Sequence, residues 1–362
     1  MHLIYNSEGE KAKTLRACIF TGIKPSKHLY ISLCLSILLS SSKSTETISR
    51  LRCAPPEFPD VVTWAAWLYY IDQMTQIDVA KAIGVSRASV VNYLQEARER
   101  GLVSIHFDQK SISETVISKS LQEKYGLSSC LVIPKTIQKS NLSERLGVAA
   151  ARVLFSMLKS NDVISVAWGK TVLAAAQAIP HSQLENLTVV QVVGSFHSTV
   201  EFSPEFCTSV LANRLNARCM NFLAPAILTS KQLRDELLKE EVLINQFNAI
   251  KSARVIVFGI GELDPESTVV STGFLKEPAI KNYLEKGAIG TILGRMIDHN
   301  GQQIFTEIDD RMIGVTLDEI KDVPCRLAVA GGPQKVEVIR ATLKGKYPTH
   351  LVTDYETATA LL

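Results

Sequence analysis

The chain lacks most of the features that would tie it to a particular chemistry. Its 362 residues carry seven cysteines (Cys18, Cys34, Cys53, Cys130, Cys207, Cys219 and Cys325), scattered, odd in number and with no C-x-x-C pair. That spacing speaks against a zinc site or a disulfide framework, and buried, reduced thiols in a cytoplasmic protein are the expectation. No Ser-His-Asp order, metal-ligand cluster or Walker loop is evident. The seven histidines are spread out, and His197 and His299 have no obvious partners, so each reads as a surface or satisfied histidine rather than a base. These absences point away from an enzyme, and neither a metal nor a cofactor is expected. The net charge is only +3 at pH 7. That neither demands nor excludes nucleic acid, because a DNA contact needs positive charge at the docking face, not over the whole protein. The apolar run at residues 29–39 is too short to cross a bilayer as a helix, which takes ~20 apolar residues, so no membrane partner is expected.

The rest is ordinary for a soluble globular protein: 46% hydrophobic and 21% charged residues. The length suits two domains and can bury a sizeable core without staples.

Residues 1–58 differ in character from the remainder of the chain. The run at 29–39, with Lys24 and Lys27 before it and Ser40, Ser41 and Ser42 after it, has the look of a signal-peptide core, but it lies unusually far from Met1. Pro55, Pro56 and Pro59 then read as a linker. A secretory signal, a disordered extension and a start codon assigned too far upstream all compete. The third fits best, because the chain from residue 59 onward reads as a complete cytoplasmic protein.

Residues 59–108 read as a small all-α domain. Trp64, Ala65, Trp67, Leu68 and Ile71 place an apolar stripe on a first helix. Thr75 is a good N-cap, with Asp78 three residues on, and Ile77, Val79, Ala80 and Ile83 give a short second helix that Gly84 ends. Ser86 can cap a third helix over about 87–100, with Val90, Val91, Leu94 and Ala97 inward, before Gly101 and a strand-like alternation at 102–107. Helix, three-residue turn with glycine, helix is the helix-turn-helix pattern, whose second helix enters the major groove. The residues that would reach the DNA are Ser86, Arg87, Ala88, Ser89, Asn92 and Tyr93. Arg87 suits guanine, Asn92 adenine and the Ala88 methyl thymine, while Lys81 or Arg98 could hold the backbone. Asp72, Asp78, Glu96, Glu99 and Asp108 offset the local positive charge, so one copy should bind weakly and useful affinity needs paired half-sites. A plain helical hairpin is the competing reading.

Residues 109–362 alternate strands with helices, which implies a larger, doubly wound, mostly parallel α/β domain. Strands are expected at 130–133, 163–167, 187–193, 254–259, 326–330 and 350–353, and helices at 113–125, 143–159 and 171–179. Ligands of such sheets sit at the carboxyl ends of the strands. Three loops fall there. In Trp168-Gly169-Lys170-Thr171 the glycine allows close approach, the helix start offers free N–H groups, and Lys170 and Thr171 add donors, which together suit an anion. The stretch Gly259-Ile260-Gly261-Glu262-Leu263-Asp264-Pro265 offers Glu262 and Asp264 to hydroxyls. It is not a dinucleotide fingerprint, lacking a third glycine and an immediate helix. In Gly331-Gly332-Pro333-Gln334-Lys335, Lys335 lies in the first helical turn. Gly194 and Ser195 follow another strand and could form a fourth wall. Any one of these loops could be an ordinary turn; their weight comes from sharing one sheet.

The chain is identified as resembling the SorC-type sugar-binding transcriptional regulators. The likeness runs from Ala66-Trp67-Leu68-Tyr69-Tyr70 and Ile83-Gly84-Val85-Ser86-Arg87-Ala88-Ser89-Val90 through Trp168-Gly169-Lys170-Thr171 and the Gly259-Ile260-Gly261-Glu262 stretch. It continues in Gly287-Ala288-Ile289-Gly290, Arg311-Met312-Ile313-Gly314, Ala330-Gly331-Gly332-Pro333 and Leu351-Val352-Thr353-Asp354, and covers roughly residues 61–362. The resemblance implies a sensor domain like sugar-phosphate isomerases and glucosamine-phosphate deaminases that have lost catalysis. It also implies a phosphorylated sugar effector, operator DNA as partner, and a homodimer or homotetramer whose effector usually relieves repression. Related deaminases carry Asp-Gly-His near the Gly-x-Gly stretch; Glu262-Leu263-Asp264 stands here, without a histidine, which argues against retained catalysis. An active isomerase or deaminase with a fused DNA-binding module is the alternative, and a secreted binding protein the third.

Overall fold

The computed structural model describes residues 54–103, 115–135, 141–196, 202–264 and 267–362. Most of residues 1–58, the strand-like alternation after Val103, His197 and the Pro265-Glu266 pair lie outside those residues. The chain divides into two compact units, one ending at Leu102 and the other starting at Val103.

The first unit holds three helices, α1 (Val61–Tyr70), α2 (Gln76–Ile83) and α3 (Arg87–Glu99). Each starts on a side-chain cap: Asp60 accepts from the Thr63 amide, Thr75 from Asp78 and Ser86 from Ser89. Such caps satisfy donors that the first helical turn leaves open. The Asp60 carboxylate also takes Arg100 Nη1 at 2.6 Å, tying the end of α3 to the start of α1. The Thr63 amide bond, more than that guanidinium, holds its carboxyl below the ordinary value. Gly84 closes α2 with φ +70°, a backbone most side chains avoid. Ala65, Val79, Ala80, Ile83, Val90 and Leu94 form the core. Four residues expected inward are exposed instead: Trp67, Ile71, Ile77 and Val91. In α1 the buried positions are Val62, Ala65 and Ala66, because the helices approach closely enough that only small side chains fit.

The second unit is built on a parallel sheet. In chain order it runs α4 (Val116–Tyr125), β1 (Ser129–Ile133), α5 (Leu142–Met157), β2 (Val163–Val166), α6 (Lys170–Ala178), β3 (Thr188–Gln191), α7 (Pro204–Leu215), β4 (Arg218–Met220), α8 (Lys231–Leu237), α9 (Glu241–Lys251) and β5 (Val255–Glu262). It continues with α10 (Thr268–Ser271), α11 (Glu277–Glu285), β6 (Gly290–Ile292), β7 (Arg295–Ile297), α12 (Leu317–Lys321), β8 (Cys325–Val329), α13 (Val336–Lys344), β9 (His350–Asp354) and α14 (Tyr355–Leu361). The strand order is β1-β9-β8-β5-β2-β3-β4, all parallel, with β6 pairing antiparallel to β5 and β7 to β6. Consecutive residues of β2, β5 and β9 are buried. Because side chains alternate between the two sides of a strand, both faces of the sheet are covered. The α5 and α6 helices pack so closely that a methyl group at Gly147 would sit 2.3 Å from Ala174 Cβ.

At the amino ends of β2 and β5, Arg254 Nε donates to Asp162 Oδ1 at 2.6 Å. Burial pushes the Asp162 carboxyl up, but the Arg254 and Lys159 hydrogen bonds outweigh it and leave the carboxyl below its ordinary value. The chain leaves β2 for β3 on one side and later returns to β5 on the other. This reversal between β2 and β5 opens a crevice at their carboxyl ends. Among the described residues no helix is long and apolar enough to cross a membrane.

Candidate functional site

Strands β8, β5 and β2 are neighbours, so the three strand-end segments meet on one edge of the sheet. They line a crevice of about 170 Å³ that takes in Gly169, Lys170, Thr171, Gly261, Glu262 and Lys335.

The first wall is the start of α6. Gly169 has φ +122°, and no side chain caps the helix there. The first-turn amides are thus unclaimed by any side-chain cap and face a crevice, the usual geometry for an anion. Thr171 Oγ1 donates to the Val329 carbonyl at 3.1 Å and ties this start to the end of β8. Lys170 is exposed, its Nζ 5.8 Å from the centre of the Phe202 ring. Beneath the turn lies buried Cys207, whose thiol burial pushes up to about 12, with the Gly169 amide acting the other way. It therefore stays a protonated, inert thiol.

The second wall is not the loop expected from the sequence. Gly259 to Glu262 continue β5, and Ile260, Gly261 and Glu262 pair with Ile292, Thr291 and Gly290 of β6. The pairing partner is a hairpin that sequence reasoning missed. Leu293 (φ +55°) and Gly294 (φ +78°) form its two-residue turn, the backbone that suits the twist of a tight hairpin. Thr291, Leu293 and Gly294 line the crevice. The hairpin is anchored from behind by buried Arg295, whose guanidinium donates to the Val315 carbonyl at 3.3 Å and lies 3.4 Å from Asp309 Oδ1. Asp309 in turn accepts from the Tyr283 hydroxyl at 2.5 Å. The short spacing of Gly290-Thr291-Ile292 and Arg295-Met296-Ile297 around an Xaa-Gly pair was the available signal.

The third wall is Lys335. It sits in a 3-10 turn ahead of α13, donates from Nζ to the Ile260 carbonyl at 2.9 Å, and lies 3.2 Å from Glu262 Oε2. That oxygen is buried and the contact is not aligned as a hydrogen bond. The crevice thus joins an ammonium, open helix amides and a carboxylate, the donors and acceptor that a phosphorylated polyol needs.

Four residues expected here are elsewhere. The Gly332 amide is already held by Asp354 Oδ2 and Thr357 Oγ1, each at 2.8 Å, so it is closed to a ligand. Gly194 serves close packing: a methyl group there would sit 2.6 Å from Ala226 Cα. The Ser195 hydroxyl is engaged by Gln191 and the Phe222 carbonyl and lines a separate cavity with Phe196 and Phe274. Asp264 is exposed and does not border the crevice. Trp168, which was not singled out as a site residue, lines the crevice and stands against Phe196 and Phe274, ring centres 5.8 and 5.3 Å away. Among the described residues no group of three His, Cys, Asp or Glu side chains could hold a metal ion.

In the first unit, Ser86, Arg87, Ala88 and Asn92 are exposed on the first turns of α3, with Ser89 half-buried. Arg87 Nε donates to Gln76 Oε1 at 3.2 Å, and the Ser86 and Ser89 hydroxyls lie 2.9 Å apart. Tyr93 is half-buried and packs on the helical core.

Residues 110–362 match the Sugar-bind family of sugar-binding domains. The chain is 30% identical over 309 residues to the transcriptional regulator YjhU of Escherichia coli K12, covering 84% of this chain and 94% of that one. It is 29% identical over 300 residues to the deoxyribonucleoside regulator of Bacillus subtilis, covering 82% and 96%. Among solved structures, the full-length sorbitol operon regulator SorC of Klebsiella pneumoniae superposes with a TM-score of 0.67 at 23% identity, over 83% of this chain and 97% of that one.

Proposed function

The chain belongs to the SorC-type family of sugar-binding regulators, and from that premise we propose that it binds operator DNA through α3 with an affinity set by a phosphorylated sugar in the β2–β5–β8 crevice. One observation carries the effector reading: the uncapped start of α6 and the Lys335 ammonium border the same crevice as the Glu262 carboxylate. Phosphate is held by backbone amides and a cation, and a hydroxyl by a carboxylate, so the pairing suits both ends of one molecule. The DNA reading rests on the exposed Arg87, Ala88 and Asn92 at the start of the helix that follows the Gly84 turn. The acidic residues beside them, Asp78 and Glu96 among them, favour binding as two or more copies on paired half-sites.

The test has two parts. A thermal-shift panel of aldose, ketose and polyol phosphates, each beside its unphosphorylated parent, should raise the melting temperature for a phosphorylated member only, since a ligand selective for the folded state stabilises it. The same compound should then change the anisotropy of a fluorescent duplex selected from a random library with the protein. A panel that leaves the melting temperature unmoved, or a ligand that stabilises without altering DNA binding, overturns the reading.

A further inference from the structure

Along β5, Gly259 and Gly261 are two residues apart and so share one face of the strand. A methyl group built at Gly259 would touch Thr171 Oγ1 at 3.4 Å, and one built at Gly261 would sit 2.8 Å from Thr291 Cγ2. The floor of the crevice is therefore bare backbone between two threonines, one from the α6 start and one from the β6 hairpin. Their hydroxyls have different fates. Thr171 Oγ1 is satisfied by the Val329 carbonyl. Thr291 is 4% exposed, lines the crevice, and its Oγ1 is buried with no hydrogen-bond partner among the described residues.

An unpartnered buried hydroxyl is a cost that folding does not recover. Valine has nearly the same outline and would remove that cost, so packing alone does not call for threonine at this position. Ser165, Ser267 and Thr353 also carry buried hydroxyls without a partner among the described residues, but of the four only Thr291 lines the crevice.

We propose that Thr291 is a specificity-determining residue: its hydroxyl reads a hydroxyl group of the phosphorylated sugar, so that analogues lacking that group are rejected. The inference rests on the effector reading and names which part of the ligand the hairpin recognises. Phosphate would be held at the α6 start and Lys335, and the carbon chain would lie over the glycine floor toward Thr291. A site built around a polar group discriminates strongly against a ligand that leaves that group unpaired, whereas an apolar wall does not.

The experiment uses the full chain and its Thr291→Val and Thr291→Ser variants. Calorimetric or thermal-shift titrations are run with sugar phosphates in pairs that differ by one hydroxyl, such as ribose 5-phosphate with 2-deoxyribose 5-phosphate, and glucose 6-phosphate with its 2-deoxy, 3-deoxy and 4-deoxy analogues. In the wild type, one hydroxylated member should bind roughly tenfold or more tighter than its deoxy partner, the scale of one lost buried hydrogen bond. Thr291→Val should abolish that preference while melting, without ligand, no lower than wild type. Thr291→Ser should retain the preference. A preference that survives in Thr291→Val overturns the inference, as does a wild type that binds sugar phosphates without distinguishing the pairs. A lower melting temperature of unliganded Thr291→Val also overturns it, because the hydroxyl would then be structural. A wild type that responds to no sugar phosphate removes the effector reading and this inference with it, a result distinct from the others.

Discussion

Lys335 Nζ and Glu262 Oε2 lie 3.2 Å apart across the crevice, one at the approach to α13 and the other at the end of β5. About three quarters of each side chain is covered, and the ammonium is further held by the Ile260 carbonyl. The two opposite charges are therefore prearranged without a ligand. A phosphate arriving at Lys335 would share its donors, and Glu262 would remain as an acceptor for a hydroxyl.

Lys335→Ala should uncouple effector from DNA. If phosphate binds as proposed, removing the ammonium would delete its cationic partner and leave the Glu262 carboxylate to repel it. Duplex binding without effector should be unchanged, while the sugar phosphate titration of that binding flattens. Anisotropy titrations of the two proteins side by side check this, and superimposable curves would remove Lys335 from the site.

Asp354 predicts a different outcome, because it is structural. Its carboxylate accepts from the Gly332 and Thr357 amides and from the Thr357 hydroxyl, all in buried surroundings. Asp354→Ala should destabilise the second unit by roughly 2–4 kcal/mol, the scale for losing charge-assisted bonds and stranding a buried amide. Urea denaturation followed by far-UV circular dichroism reads it. A loss of effector affinity at unchanged stability would contradict this assignment.

His350 gives a pH dependence. Burial, and secondarily the Arg326 charge, hold its imidazole below the ordinary value of 6.5. The unfolded chain therefore takes up this proton before the folded chain does. Stability from this residue is fully present above about pH 6.5 and falls as pH drops from there through the lowered folded value. Carboxylates such as Asp162, held below 3.8, lose their contribution only at lower pH. Melting temperatures between pH 7.5 and 5 should fall in the wild type and fall less in His350→Gln; equal slopes would exclude His350 as the source.

Arg87→Ala should weaken binding to the selected duplex by about 1–3 kcal/mol and relax base preference at one position of each half-site. A parallel drop on every sequence would instead make Arg87 a phosphate contact. Selection of binding sites with each protein separates the two.

The sequence is most legible where the chemistry is local. The caps Thr75 and Ser86, the Gly84 stop and the glycine opening α6 are each decided by a few neighbouring residues, and each stands where the pattern places it. Gly332 shows why other expectations fail. Its amide looks available in sequence, and only the return of β9 beside β8 brings Asp354 and Thr357 to it. Trp67 and Ile71 fail for another reason: hydrophobicity ranks them above Ala65 and Ala66, but the tight helical core takes the alanines. The β6 hairpin escaped because its strands are three residues long, and β5 runs on to pair with it where a loop was expected.

The place of β9 has a consequence for how the protein is made. It is inserted between β1 and β8, and Ser129 finds its partner only in His350. At a synthesis rate of about 5–20 residues per second, β1 leaves the ribosome on the order of ten seconds or more before that partner does. Through that interval the apolar run from Cys130 to Ile133 has no strand beside it. A ribosome that stalls inside α13 would release a chain with this run still unpaired, a ready substrate for chaperones and proteases.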